Sequence, residues 1–279
     1  MSEGERVIGD AWTWLRFFAK PASYQFCYID PPFNTGLTRT GDAGSYIDHF
    51  AHESYLRDIR NVLLYTRECL TVDGAIAVHL DWRECHYVRV ILDEIFGRDA
   101  FINEIIWSYD FGGRGKRCWP RKHDNIAIYA RTPGKHYFDW DSVPRVPYMM
   151  KPGKNPRFVT AEKAARGKTL TDVWWRSVIG TNSYERTGYP TQKPLDIIQR
   201  LISVHSAPCG KVLDVYGGSG TTGAACESLG RSYTLVDRSL QAHAVMEKRL
   251  QKCASVTYLV ENPDTVTDIS IDEETRFEW

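Results

Sequence analysis

The strongest constraint on the fold of this chain is a ten-residue run, Asp214-Val215-Tyr216-Gly217-Gly218-Ser219-Gly220-Thr221-Thr222-Gly223. An apolar strand pattern (211–216) runs into it and a helical pattern (221–229) runs out of it. Gly218, Gly220 and Gly223 match G-x-G-x-x-G, in which glycines let the backbone turn sharply and approach a ligand closely. Asp237 ends the next strand pattern (232–236), placed to accept hydrogen bonds from two ribose hydroxyls. The arrangement points to a nucleoside-containing cofactor, with a dinucleotide dehydrogenase and a ligand-free glycine turn as competing readings. Only 42 residues follow Asp237, room for about one more helix and strand. The rest of the sheet must therefore come from residues before 130, which weakens the dehydrogenase reading.

Those earlier residues carry the pattern expected of such a sheet. Residues 24–29 (YQFCYI) read as a strand stopped by Pro31 and Pro32. Residues 53–70 place Leu56, Ile59, Val62, Leu63 and Leu70 at helical spacing, and Gly74 opens a strand over 75–80. A helix bearing Val88, Ile91, Leu92, Ile95 and Phe96 ends at Gly97, and strands at 102–107 and 125–130 flank a Gly/Arg-rich loop. Periodicity fades from 131 to 190, where Pro133, Pro144, Pro147, Pro152 and Pro156 interrupt it, and returns with a helix predicted over 191–206. A helix over 239–252 and a strand over 256–260 complete an alternation that implies an α/β fold, its mostly parallel sheet covered on both faces.

Charge is zero overall, with 35 Lys+Arg against 35 Asp+Glu, so a uniformly basic coat is excluded. Locally it is uneven. Residues 111–170 hold fourteen Lys and Arg against four acids, interleaved with aromatic rings such as Trp119, Tyr129 and Trp140. Cations that neutralise phosphates beside rings that stack on bases suit nucleic acid; a solvated, loop-rich insertion is the bland alternative. Residues 261–279 are acidic, with seven acids against one Arg, and are expected to be solvated. The seven cysteines include no pair at C-x-x-C spacing, which argues against a zinc site and a disulfide scaffold, and no metal is expected. No apolar run approaches the ~20 residues of a membrane span, and the polar N-terminus is unlike a signal peptide. A cytoplasmic protein is expected.

Ligands in open α/β sheets bind at the carboxyl ends of strands, where strand order reverses. What ends the first recognised strand is Asp30-Pro31-Pro32-Phe33, followed by Asn34-Thr35-Gly36. The prolines remove two N–H donors and leave carbonyls without local partners. Asp30 adds an acceptor and Phe33 a flat face, a combination suited to the exocyclic amino group of a planar base. A tight Pro-Pro turn beside a helix is the alternative.

DPPFNTG, INEIIWSYDFGG, RKHDNIAIYAR, GYPTQKPLDIIQRLI and LDVYGGSGTTGAACESLGRSYTLVD, in this order, resemble an amino-methylating DNA methyltransferase. The acceptor motif first and the cofactor motif last resembles the beta group, with type III modification subunits close in pattern. The resemblance implies a circularly permuted, Rossmann-like class I methyltransferase fold using S-adenosylmethionine, with residues 1–109 as the base-acceptor half, 110–184 as a target-recognition insertion and 185–279 as the cofactor half. It implies catalytic roles for Asp30, Pro31, Pro32 and Phe33. It places Asp214, Tyr216, Gly218, Gly220, Thr221 and Thr222 around the cofactor, Asp237 at its ribose, Thr191, Gln192, Lys193 and Pro194 closing its pocket, and Asp10 near its adenine. Val215, Tyr216 and Phe33 depart from the usual Pro, Phe and Tyr.

The expected reaction is methyl transfer to adenine N6 of a base flipped out of double-stranded DNA. Arg114, Arg117 and Arg121 are the candidate DNA contacts. Cytosine N4 is the nearest alternative, because both targets are exocyclic amines; an acceptor motif beginning with Asp leans to adenine in the resembling family. A non-catalytic nucleic-acid-binding subunit and an RNA substrate are further alternatives. A homodimer and a cognate restriction endonuclease are the partners the resemblance leaves open.

Overall fold

The computed structural model describes residues 3–113, 115–148 and 160–259. In chain order the elements are β1 (Gly4–Ile8), α1 (Ala11–Phe17), β2 (Tyr24–Ile29), β3 (Leu37–Gly41), β4 (Gly44–Asp48), α2 (His52–Cys69), β5 (Leu70–Leu80), α3 (Cys85–Phe96), β6 (Phe101–Ser108), β7 (His123–Ala130), β8 (Arg145–Val146), α4 (Ala161–Arg166), β9 (Lys168–Thr169) and β10 (Val173–Trp175). Then follow α5 (Leu195–His205), β11 (Lys211–Asp214), α6 (Thr221–Leu229), β12 (Ser232–Asp237), α7 (Leu240–Arg249) and β13 (Cys253–Tyr258).

Nine strands form one sheet in the order β10-β6-β7-β5-β2-β11-β12-β1-β13. Every neighbouring pair is parallel except the two that involve β7. Alternate side chains of a central strand enter opposite layers, so such strands read as nearly continuous apolar runs. In β2, Cys27 and Ile29 pack on one side with Trp14, Ile59, Leu63, Val88 and Leu92 of α1 to α3. Phe26 and Tyr28 pack on the other with Ile198, Leu201, Cys226 and Met246 of α5 to α7. The expected α/β sheet, covered on both faces, is present.

Strand order reverses between β2 and β11, which are paired through Val212↔Phe26 and Leu213↔Cys27. From β2 the chain moves outward through α2 to β5; from β11 it moves the other way through α6 to β12. The carboxyl ends of β2 and β11 thus open side by side, although 184 residues separate Asp30 from Asp214 in the sequence.

Several boundaries differ from the sequence pattern. The helix expected from 191 begins at Leu195, because Thr191 sits at φ +56 and Pro194 is the N-cap. The strand expected at 75–80 begins at Leu70, passing an irregularity in its pairing with β2. The strand expected over 211–216 stops at Asp214, where the backbone turns toward the glycines. The helix expected over 239–252 spans Leu240–Arg249, and the following strand lies at Cys253–Tyr258. Residues 110–184 supply two strands of the main sheet: β7, and the short β10, whose Trp174 is buried although its surroundings lack periodicity. The acidic stretch 261–279 lies outside the described residues.

Ile76 of β5 is fully buried near the centre of the sheet. Replacing it with Ala is expected to lower unfolding free energy by about 2–5 kcal/mol, measured by urea denaturation with an unchanged m-value.

Candidate active site

One cavity of about 480 Å³ opens at the carboxyl ends of β2, β11 and β12. Asp10, Asp30, Pro31, Pro32, Phe33, Thr191, Gln192, Lys193, Asp214, Tyr216, Gly218, Thr221, Thr222 and Asp237 all line it. Of the expected pocket residues, Pro194 and Gly220 do not: Pro194 is buried as the cap of α5 and Gly220 is the residue before α6. The proline corner and the glycine turn therefore share one crevice.

The glycine turn owes its shape to its residue types. Gly218 and Gly220 lie at φ +49 and +72, where L side chains are rare, and Gly220 caps α6 in the left-handed region. A Cβ on Gly223 would lie 2.9 Å from a Leu235 methyl, so glycine there lets α6 sit on β12. Arg249 at the end of α7 holds the turn, donating from Nη1 to the Ser219 carbonyl at 3.1 Å and to Thr221 Oγ1 at 2.9 Å. Asp214 accepts from the Tyr216 amide at 2.9 Å and from Thr222 Oγ1 at 2.5 Å. Asp237 accepts from the Gly218 amide and the Ser239 amide, both at 2.8 Å. Each Asp237 oxygen keeps a lone pair for a hydroxyl donor. Asp10 accepts from the Thr13 amide at 3.1 Å and so caps α1 at the rim.

The acceptor side is built on β2. Asn34 at φ +53 reverses the chain after the two prolines. Its amide donates to Asp48 Oδ1 at 2.7 Å and its side chain bridges Glu84 and the Phe50 amide. Asp48 is 1% exposed and also accepts from Thr35 and Arg39. The intervening hairpin, β3 and β4, reaches the opposite wall: Tyr46 Oη lies 3.1 Å from Thr191 Oγ1 and the Ser45 amide donates to Gln241. Within the 191–194 segment, Gln192 is spent on its own loop, accepting from Thr187 and donating to the Glu185 carbonyl. Lys193 instead crosses the crevice. Its Nζ donates to both Asp30 oxygens at 2.7 Å and lies 4.7 Å from the Phe33 ring centre.

Behind Asp30 runs a buried chain that sequence reading missed: Tyr28 Oη to His79 Nδ1 at 2.6 Å, His79 Nε2 to Asp124 at 3.2 Å, and Tyr109 Oη to Asp124 at 2.9 Å. Burial and the neighbouring Asp30 and Asp214 carboxylates push the Tyr28 phenol up, so it stays protonated beside His79 Nδ1. Burial alone would raise Asp124; the hydrogen bond and charge interaction with His79, the Lys193 charge and the hydrogen bond from Tyr109 together outweigh it and hold the carboxyl below its ordinary value. Each partner comes from a different strand or its flank, so no local motif marks the chain. β5 and β7 are buried almost continuously, so no alternation in the sequence singles out His79 or Asp124.

Of the expected DNA contacts, Arg117 and Arg121 lie apart from the crevice lining. Arg121 is exposed and stacks on Trp82, its guanidinium 3.9 Å from the ring centre. Arg117 is exposed on the loop between β6 and β7, and Arg114 lies outside the described residues.

Fold and crevice define a class: a doubly wound, mostly parallel sheet in which an Asp-Pro-Pro-Phe corner faces a glycine turn across the switch point. Residues 24–248 match the DNA methylase family N6_N4_Mtase, and the chain belongs to that family. It is similar to the type II methyltransferase M.HpaI of Haemophilus parainfluenzae, 28% identical over 228 residues that cover 82% of this chain and 68% of that protein. Among solved structures it resembles a complex of M1.HpyAVI with SAM at TM-score 0.59 and 20% identity, covering 88% of this chain and 98% of the other. It also resembles the cytosine-N4-specific PvuII DNA methyltransferase at TM-score 0.62 and 14% identity, covering 92% and 95%. At these identities the two structures speak for the fold.

Burial, opposed by hydrogen bonds from Thr222 and Tyr216, pushes the Asp214 carboxyl up to about 7, from 3.8 when free. Between about pH 4 and 7 the folded chain therefore keeps a proton that the unfolded chain releases, and this site's contribution to stability falls as pH rises through that window. Asp214→Asn removes the ionisation and keeps one oxygen acceptor. The melting temperature of the variant minus that of wild type should increase between pH 4.5 and 8, read by calorimetry on the free protein.

Proposed function

We propose that this chain transfers a methyl group from S-adenosylmethionine to the N6 amine of adenine flipped out of double-stranded DNA. The observation that carries the proposal is the placement of Asp30 and the glycine turn on the paired ends of β2 and β11, facing one cavity. Its volume, about 480 Å³, falls within the roughly 300–1,000 Å³ of small-molecule pockets. The glycine turn, free of side chains at Gly218, and the Asp237 carboxylate beside it suit a nucleoside-bearing cofactor. S-adenosylmethionine supplies a methyl group already activated by its sulfonium charge.

The protein's part is alignment. Asp237 accepts from ribose hydroxyls, and Asp214 with Thr222 keeps the turn in shape. Phe33 offers its ring to the base, offsetting the few kcal/mol that unstacking costs. Asp30 and the backbone carbonyls of the proline corner accept the two amine hydrogens, which turns the nitrogen lone pair out of the ring plane toward the methyl group. As the C–N bond forms and the methyl C–S bond breaks, its electron pair returning to sulfur as a neutral thioether, Asp30 Oδ takes the proton released from nitrogen, directly or through water. The hairpin of β3 and β4, tied to Thr191, helps keep bulk water from the reacting atoms.

Adenine is favoured over cytosine N4 because the acceptor motif begins with Asp30. Arg117 and Arg121, on the basic stretch between β6 and β7, are assigned to phosphate or base contacts. The names of the relatives suit a modification enzyme of a restriction-modification system.

Purified chain, S-adenosylmethionine and duplex DNA, followed by digestion to nucleosides and mass spectrometry, test the proposal. N6-methyl-2′-deoxyadenosine is the expected product, and Asp30→Ala is expected to lower its rate at least about 100-fold, the scale of losing one pre-organised polar partner. N4-methyl-2′-deoxycytidine would transfer the assignment to cytosine, and equal methyl incorporation by wild type and Asp30→Ala would overturn it.

A further inference from the structure

We propose that Lys193 is a positioning residue for the acceptor carboxylate and not a ligand of the cofactor. The inference deepens the methyl-transfer reading and rests on it. The resemblance assigns the 191–194 segment to closing the cofactor pocket, but the side chains within that segment have different partners. Gln192 is consumed by Thr187 and Glu185, and Pro194 caps α5. Lys193 is 8% exposed and donates to both oxygens of Asp30 at 2.7 Å.

Two constraints put the ammonium there. The Lys193 carbonyl accepts from Thr221 Oγ1 at 3.3 Å, in the first turn of the helix that leaves the glycine turn. The backbone is therefore fixed on the cofactor side while the side chain reaches across the switch point. There the Phe33 ring, 4.7 Å away, offers its negative face to the cation. A half-buried carboxylate is costly to hold without a counter-charge. The ammonium meets that cost.

The consequence for catalysis is geometric. Two carboxylate oxygens offer about four acceptor positions, and the ammonium takes two. Asp30 cannot rotate without breaking a charged hydrogen bond, so its remaining lone pairs keep one aim as the base amine arrives. Misplacement of a reacting group by about 1 Å can cost on the order of 100-fold in rate. The same residue, bonded to Thr221 through its carbonyl and to Asp30 through its ammonium, also keeps the two halves of the site in register.

The test uses the full chain with Lys193→Met and Lys193→Arg. S-adenosylmethionine affinity is measured by titration calorimetry, and kcat and KM by transfer of labelled methyl to duplex DNA. For Lys193→Met the expected result is cofactor affinity within about 3-fold of wild type and a kcat lower by about 100-fold, with at least about 10-fold recovered by Lys193→Arg. In an Asp30→Ala background the same Lys193→Met change should cost no more than about 2-fold in the residual single-turnover rate, since the carboxylate it positions is already gone. That background separates positioning from a general loss of structure, and melting temperatures confirm that each variant is folded. Cofactor affinity weakened more than about 10-fold with kcat preserved at saturation, an unchanged kcat, or an equal further loss in the Asp30→Ala background would each overturn the inference. A wild type that transfers no methyl overturns the proposed function beneath it, whereas an active wild type with an unimpaired Lys193→Met variant overturns this inference alone.

Discussion

The parallel pairing of β2 with β11 is the contact on which the rest of the molecule depends. It joins two βα units whose chains leave in opposite directions, and it brings the ends of the two strands within reach of a single ligand pair. Everything chemical in the crevice lies at or just beyond those ends. The helical layers on both faces bury the strands, so the position of Asp30 relative to the glycine turn is set by the packing of Phe26, Cys27, Val212 and Leu213. Close packing of this kind tolerates little displacement.

Around that contact the site separates into two regimes. On the cofactor side, carboxylates are satisfied mainly by backbone amides and nearby hydroxyls: Asp214 by Tyr216 and Thr222, Asp237 by Gly218 and Ser239. On the acceptor side the partners lie 45 or more residues apart in sequence: Lys193 on Asp30, and the Tyr28–His79–Asp124 chain behind. Local hydrogen bonds form with the turn itself, while the remote ones require the whole sheet. The acceptor side should therefore be the more sensitive to distant substitutions in the core.

This difference also explains what could be read from sequence. The glycine turn, α6 over Thr221–Leu229, β2 and the Asp-Pro-Pro-Phe corner were legible because each follows from short-range rules: glycine at positive φ, proline lacking an N–H, apolar runs of strand length. The meeting of the two motifs in one crevice followed from strand order. What escaped was non-local. Strand β10 gains its place from pairing with β6, not from its own three residues. The hairpin of β3 and β4 is exposed on much of its surface and carries no apolar alternation, yet it is pinned to Thr191 and Gln241. The helix expected from 191 starts late because Thr191 and Pro194 impose a turn that hydrophobic periodicity cannot register. Lys193 could be placed at the site, but its partner could not be named until the strands were paired.

Arg249 has a consequence for ligand discrimination. By bracing the Ser219 carbonyl and the Thr221 hydroxyl from beneath, it gives the glycine turn a framework of its own, independent of any guest. A turn so braced spends little entropy on ordering when something enters it. Differences in affinity among nucleoside analogues at this turn should then report the fit of each analogue, undistorted by rearrangement of the host.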